Sequence, residues 1–134
     1  MSYLLDTDTV SYALRGVGSV AERILEHTPS ELAISAITLS ELTFGAQRRK
    51  SRRLLRLLDG FVHDVAVLPY DEAAAHVYGK LATQLLERGT PIGTNDAMIA
   101  AHAMATERTL VSHNLRHFRR VRGLHVKTWA DTAR

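Results

Sequence analysis

Four polar residues, far apart in the chain, sit where chemistry can be done. Asp6 closes the apolar run Tyr3-Leu4-Leu5, and Glu41 stands in Thr38-Leu39-Ser40-Glu41-Leu42. Asp96 opens the run Ala97-Met98-Ile99-Ala100-Ala101, and Asn114 ends Leu110-Val111-Ser112-His113-Asn114. Three carboxylates brought to one place repel. At 4 Å and an effective dielectric of 20, each like-charged pair costs about 4 kcal/mol. A raised pKa on one member relieves this, and so does a divalent cation. The chain has no cysteine, and no pair of histidines at ligand spacing, so a hard oxygen-ligated ion, Mg²⁺ or Mn²⁺, suits these donors better than zinc. Such an ion beside basic segments fits a phosphate ester, because it can activate water and stabilise the oxyanion of an in-line displacement.

Each acid also has a simpler reading. Asp8 is a preferred residue for capping the first helix. Thr38 and Glu41 have the spacing of a capping box. A carboxylate at position 96 is favoured by a helix N-terminus by about 0.3–1 kcal/mol. The functional reading therefore rests on the acids meeting.

What brings them together is the order of elements. Strands are expected at Tyr3–Leu5, Leu32–Ser35, Val65–Leu68, Thr109–Val111 and His125–Val126. Helices are expected over Val10–Leu14 (closed by Gly16), around Val20–Leu25, over Leu39–Gln47, through Leu54–Val62, through Ala73–Leu85, and over Asn95–Ala105. The last is apolar on nearly every face, which predicts burial. Strands alternating with helices imply an α/β fold, a parallel sheet covered on both faces and doubly wound. Ligands of such sheets bind at the carboxyl ends of the strands. All four polar residues follow a strand or begin a helix, so all four fall on that rim.

The length, 134 residues, suits a single domain over 1–134, and 46% hydrophobic with 23% charged is ordinary globular composition. The acidic start lacks the pattern of a signal peptide, and no apolar run reaches the roughly 18–20 residues of a membrane span. A cytoplasmic protein without membrane contact is the expectation. The 17 basic residues exceed the 14 acidic ones by three, but their placement says more. Residues 48–56 hold six cations and no acid, and from Arg108 to Ala130 there is again no acid. Both segments suit a polyphosphate partner, a solvated helix face being the alternative. The second segment leaves the fourth strand at the rim, which makes Arg116, Arg119 and Arg120 the candidates for holding a nucleic-acid backbone. Aromatic residues are not interleaved with either cluster, so base stacking of the single-strand type is unsupported. Walker and Gly-x-Gly-x-x-Gly motifs are absent.

At these residues the sequence resembles the PIN-domain nucleases, and among them the VapC-type toxins of type II toxin–antitoxin pairs. The likeness runs through Tyr3-Leu4-Leu5-Asp6-Thr7-Asp8-Thr9, then Ile34-Ser35 to Glu41-Leu42 with Gly45. It continues in Pro91-Ile92-Gly93 with Asp96-Ala97-Met98-Ile99-Ala100-Ala101-His102-Ala103. It closes in Leu110-Val111-Ser112-His113-Asn114, Phe118, Val121, Gly123-Leu124 and Trp129. The resemblance implies a three-layer α/β/α sandwich around a short parallel sheet. It implies a Mg²⁺-dependent endoribonuclease, with Mn²⁺ able to substitute, that cuts tRNA or other structured RNA and leaves a 5′-phosphate. It also implies a cognate antitoxin that fills the cleft, and a homodimer. By position, Asp6, Glu41 and Asp96 become the metal-binding acids, with Asn114 orienting water or phosphate. The family often has a fourth acid where Asn114 stands, which weakens the case for a second metal, and often has Asn where Asp8 stands.

Two rivals come from the same residues. One is a metal-free RNA- or partner-binding module on this fold, allowed by Asn114. The other is a receiver-like signalling domain with Asp71 as phosphoacceptor. Of the remaining polar residues, His102 reads as a core or surface histidine rather than a catalytic one, and Trp129 as a packing anchor. His113 and His117 flank Asn114 within reach of phosphate, and Thr7 and Ser40 adjoin the acids as orienting groups.

Overall fold

The computed structural model describes residues 1–130. Residues 131–134, the end of the single domain expected over 1–134, lie outside the described residues. The described chain runs β1 (Tyr3–Leu5), α1 (Thr7–Arg15), α2 (Val20–Leu25), a 3-10 turn (Pro29–Glu31), β2 (Leu32–Ser35), α3 (Ala36–Arg48) and α4 (Arg52–Asp64). It continues with β3 (Ala66–Leu68), α5 (Glu72–Glu87), α6 (Thr94–Ala105), β4 (Thr109–Val111), α7 (Leu115–Phe118) and β5 (Val126–Lys127).

The five strands form one parallel sheet in the order β3-β2-β1-β4-β5. The chain winds outward from β1 in one direction and then returns to its other side. The reversal lies between β1 and β4, where Tyr3 pairs with Thr109 and Leu5 with Val111. Doubly wound sheets bind ligands at that point.

Alternation along the short strands feeds two cores. Leu4, Ala33 and Leu110 point to one face, packed under α5 and α6 with Ile99, Ala100, Leu81 and Phe118. Tyr3, Leu5, Leu32, Ile34 and Val111 point to the other, where Val10 of α1, Val20 and Ile24 of α2, and Trp129 close over them. The result is the expected three-layer α/β/α arrangement. The apolar α6 is buried at Ala97, Ile99, Ala100, Ala101, His102 and Ala103, and its alanines let the helix approach the sheet closely.

Several element bounds move from their expected places. The helix α1 starts at Thr7, not Val10, because Asp6 is its N-cap and accepts from Thr9 N at 2.9 Å. Asp8 therefore lies in the first turn and is not the cap. Likewise α3 starts at Ala36, capped by the Ser35 hydroxyl, which accepts from Ile37 N at 3.0 Å. Thr38 and Glu41 thus form no capping box; that motif occurs instead at Thr28 and Glu31. The strands β3 and β5 each begin one residue later than expected, and the one-turn α7 was not foreseen.

Candidate active site

The rim at the carboxyl ends of β1 and β4 is built from short connections that leave each acid little freedom. Asp6 is 5% exposed, its backbone N–H donates to Val111 O, and its carboxylate receives hydrogen bonds from Thr9 and Ser112. Burial pushes its pKa above the ordinary carboxylate value; the Ser112 and Thr9 hydrogen bonds oppose this, and the charge of Asp8 adds to it.

Glu41 lies in the second turn of α3 and is held from two sides. The Thr7 hydroxyl makes a short hydrogen bond to Oε1, and Asn95 Nδ2 donates to Oε2 at 3.1 Å. Thr7 Oγ1 also lies 3.3 Å from the buried Thr38 hydroxyl. Thr7 is thus an orienting group, as expected, whereas the exposed Ser40 has no such contact among the described residues.

Asp96 is aimed by Gly93. This residue caps α6 with φ 93° and ψ 150°, a backbone region essentially confined to glycine. Burial raises the Asp96 pKa; the adjoining His117 lowers it, and the negative fields of Glu41 and Asp8 raise it further. His117 Nδ1 lies 3.4 Å from Asp96 Oδ2, an ion-pair distance without hydrogen-bond geometry. Asp8, exposed at the rim, is the acid whose field reaches both Asp6 and Asp96.

The fields of the carboxylates thus meet from three helices, Asp8 of α1 being felt at both Asp6 and Asp96, and Glu41 of α3 at Asp96. Glu41 is tied to Thr7 and Asn95 and Asp96 faces His117, so among the described residues no three metal-ligating groups are already gathered at one point. The donor set is hard oxygen only, and two of its members are driven towards protonation. A divalent cation would reverse both shifts, which is the chemical fit expected of a carboxylate-held Mg²⁺.

Asn114 stands at the start of α7, with its backbone N–H bonded to Ser112 Oγ at 2.9 Å and no cap made by its side chain. Its neighbour His113 stacks on Tyr12 at 4.4 Å and points Nε2 to Asp8 Oδ2 at 3.9 Å. Arg116 and Arg119 are exposed beside the site. Arg120 is different: its guanidinium donates to Pro91 O at 3.3 Å and its carbonyl accepts from Arg88 at 2.8 Å, so it braces the segment before α6.

His102 is buried, as expected of a core residue. Its Nδ1 lies 2.8 Å from Ser35 Oγ, a hydrogen bond also reaches the Pro69 backbone, and burial holds its pKa below the ordinary imidazole value. Sequence reasoning did not single out Asn95 or Ser112. Their only signal was position, one residue before Asp96 and one residue past β4.

A cleft of about 130 Å³ opens beside the acids. It is lined by the polar Thr7, Asp8, Glu41 and Arg49 and by the apolar Leu42, Leu54 and Leu58.

The fold is thus a parallel α/β sandwich with Asp6, Asp8, Glu41 and Asp96 on the rim beside the switch between β1 and β4. Residues 3–124 match the PIN domain family, and the chain belongs to it. It is 34% identical to the tRNA(fMet)-specific endonuclease VapC of Salmonella typhimurium over 96% of this chain and 98% of that one. Among solved structures, DNA-bound VapBC from Salmonella typhimurium superposes with a TM-score of 0.89 at 36% identity, covering 97% of this chain and 99% of that one. VapBC2 from Rickettsia felis bound to a promoter DNA fragment gives 0.88 at 32% identity, over 96% and 99%.

Proposed function

We propose that this protein is a VapC-type endoribonuclease, the toxin of a toxin–antitoxin pair, hydrolysing phosphodiester bonds of tRNA or another structured RNA. The observation that carries this reading is the rim itself: in a PIN-family sheet, Asn95, next to Asp96, donates to Glu41 at 3.1 Å and so ties the start of α6 to the acid of α3. Asp6, Glu41 and Asp96 would hold Mg²⁺, or Mn²⁺ in its place. When bound, the ion supplies Lewis-acid polarisation of the scissile phosphate and a low-pKa water. Thr7 and Asn95 fix the two oxygens of Glu41, while Ser112 and Thr9 fix Asp6. The free side chain of Asn114 can orient a water or a phosphate oxygen, and Arg116 and Arg119 can take flanking phosphates. Arg120, engaged with Pro91, acts as a strut.

The relatives named for tRNA(fMet) cleavage support a tRNA substrate, and the VapBC complexes support a cognate antitoxin. A homodimer and a cytoplasmic location complete the proposal. No helix of the described residues is long and apolar enough to cross a membrane. The receiver-like alternative fails on position. Asp71 is the N-cap of α5, accepting from Ala74 N at 3.0 Å, and β3 before it is the sheet edge, away from β1 and β4.

The test is cleavage of purified tRNA by the purified protein. Cutting in Mg²⁺, its loss in EDTA, its return on adding Mn²⁺ and its absence in Asp96→Asn are the expected results. Equal cutting in EDTA would sink the metal assignment. Absence of any Mn²⁺ binding by calorimetry, with RNA still bound, would favour the metal-free module.

A further inference from the structure

The tight turn between α3 and α4 concentrates positive charge. Arg48, Arg49, Lys50, Arg52, Arg53 and Arg56 are all exposed. None of the six forms an ion pair or a side-chain hydrogen bond among the described residues, and Asp59, the nearest acid along the chain, pairs with none of them. Other arginines are spoken for. Arg15 bonds Ser11, Arg23 pairs with Glu26, Arg88 and Arg120 hold backbone carbonyls, and Arg108 bonds Tyr3 O. Among the described residues, the arginines without a partner fall into two groups, the cluster 48–56 and Arg116, Arg119 and Arg122.

Local stability does not explain the first group. Its cations repel one another. Arg52 and Arg53 occupy the first turn of α4, the end of a helix that favours anions, and no acid accompanies them there. Lys50 adopts a left-handed backbone, φ 52°, where glycine is the unstrained residue. The two charge terms are relieved when a polyanion covers the turn. Arg49 lines the same cleft as Thr7, Asp8 and Glu41, so the patch adjoins the acid site. The other unpartnered group begins two residues past Asn114.

We propose that the α3–α4 turn is a phosphate-binding arm that grips a structured RNA away from the scissile bond, with Arg116 and Arg119 as the second arm across the acids. Within residues 48–56 no exposed apolar side chain stands among the six cations, the exposed Phe44 lying a turn before them, which suits a backbone of regular charge better than a protein surface. The inference rests on the ribonuclease reading for its substrate, but not for its test.

The full-length triple variant Arg52→Gln/Arg53→Gln/Arg56→Gln keeps helix-forming residues on an exposed face. Binding of labelled tRNA by fluorescence anisotropy is measured against KCl, alongside cleavage in Mg²⁺, with Lys80→Gln on α5 as the control. Expected are a roughly tenfold loss of tRNA affinity at physiological salt, and a log–log salt slope shallower by about two to three, as for two or three lost phosphate contacts. KM for tRNA rises with kcat unchanged, and Lys80→Gln has no effect. Unchanged affinity and slope overturn the arm. So does a fall in kcat at constant KM, or intact tRNA binding with loss of an acidic protein partner. If the parent protein cuts no RNA but the binding and salt results hold, the arm stands and the ribonuclease reading fails. Single Arg53→Glu, expected to act in the same direction, replaces the triple variant should that melt early.

Discussion

The acid rim and the aromatic cluster of Tyr3, His27 and Trp129 are both built on β1, yet they are opposite in character. In the cluster, His27 stacks on Trp129 at 4.6 Å, and Tyr3 meets Trp129 edge-on at 5.1 Å. Trp129 is 2% exposed and Tyr3 4%. Such contacts add stability beyond the apolar area they bury. At the rim, Asp6 is buried almost as deeply, but its burial disfavours the charged form. One region holds the fold together; the other is held in place by it. Removing side chains from the two should have opposite consequences.

The largest effect is expected at the rim, on activity alone. Asp6→Asn keeps the cap geometry but removes the charge, and RNA cleavage should fall by a factor on the order of 10³, about 4 kcal/mol of transition-state stabilisation. The melting temperature at neutral pH should not fall. A variant that melts early and cuts normally would reverse the assignment. Trp129→Ala should do the converse. Denaturant unfolding should show a loss of about 3–5 kcal/mol, with kcat per folded molecule unchanged.

A smaller effect is expected where the two regions' demands meet, at Gly93. An added Cβ there meets nothing within 4 Å, so backbone strain is the whole penalty. Gly93→Ala should cost about 1–3 kcal/mol by chemical denaturation and, by shifting Asp96, weaken Mn²⁺ binding measured by calorimetry. If stability drops while metal affinity is kept, Gly93 serves the fold alone.

The smallest effect concerns pH. Asp6 and Asp96 have folded-state pKa values raised above the ordinary 3.8, so in that window the folded state holds more protons than the unfolded one. Stability of the metal-free protein should therefore fall as pH rises from the ordinary carboxylate pKa through the raised values. A thermal-melt series should show this decline, and Asp6→Asn should flatten it. A decline just as steep in the variant would assign the effect elsewhere.

The fold was legible because the strands are short apolar runs and the helices keep a regular period. Boundaries slipped where a polar residue chose between two jobs. Asp6 is both candidate ligand and helix cap, so α1 begins three residues before its first apolar position. Asp6, Glu41, Asp96 and Asn114 could be placed on one rim from the order of elements alone. Which groups hold them could not be read, since Thr7 and Asn95 reach Glu41 from 34 and 54 residues away. The two kinds of arginine were also indistinguishable as letters. Only the structure separates Arg120, bonded to a carbonyl, from Arg116 and Arg119, which have no side-chain partner among the described residues.

The pairing of β1 with β4 has a consequence for the cell that makes this protein. Asp6 is synthesised 105 residues before Val111, whose carbonyl forms its seat together with the Ser112 hydroxyl. Until β4 has been synthesised and has docked, this carboxylate has no pocket, and on the proposed function a translating polypeptide of this sequence carries no finished blade near the RNAs that are building it.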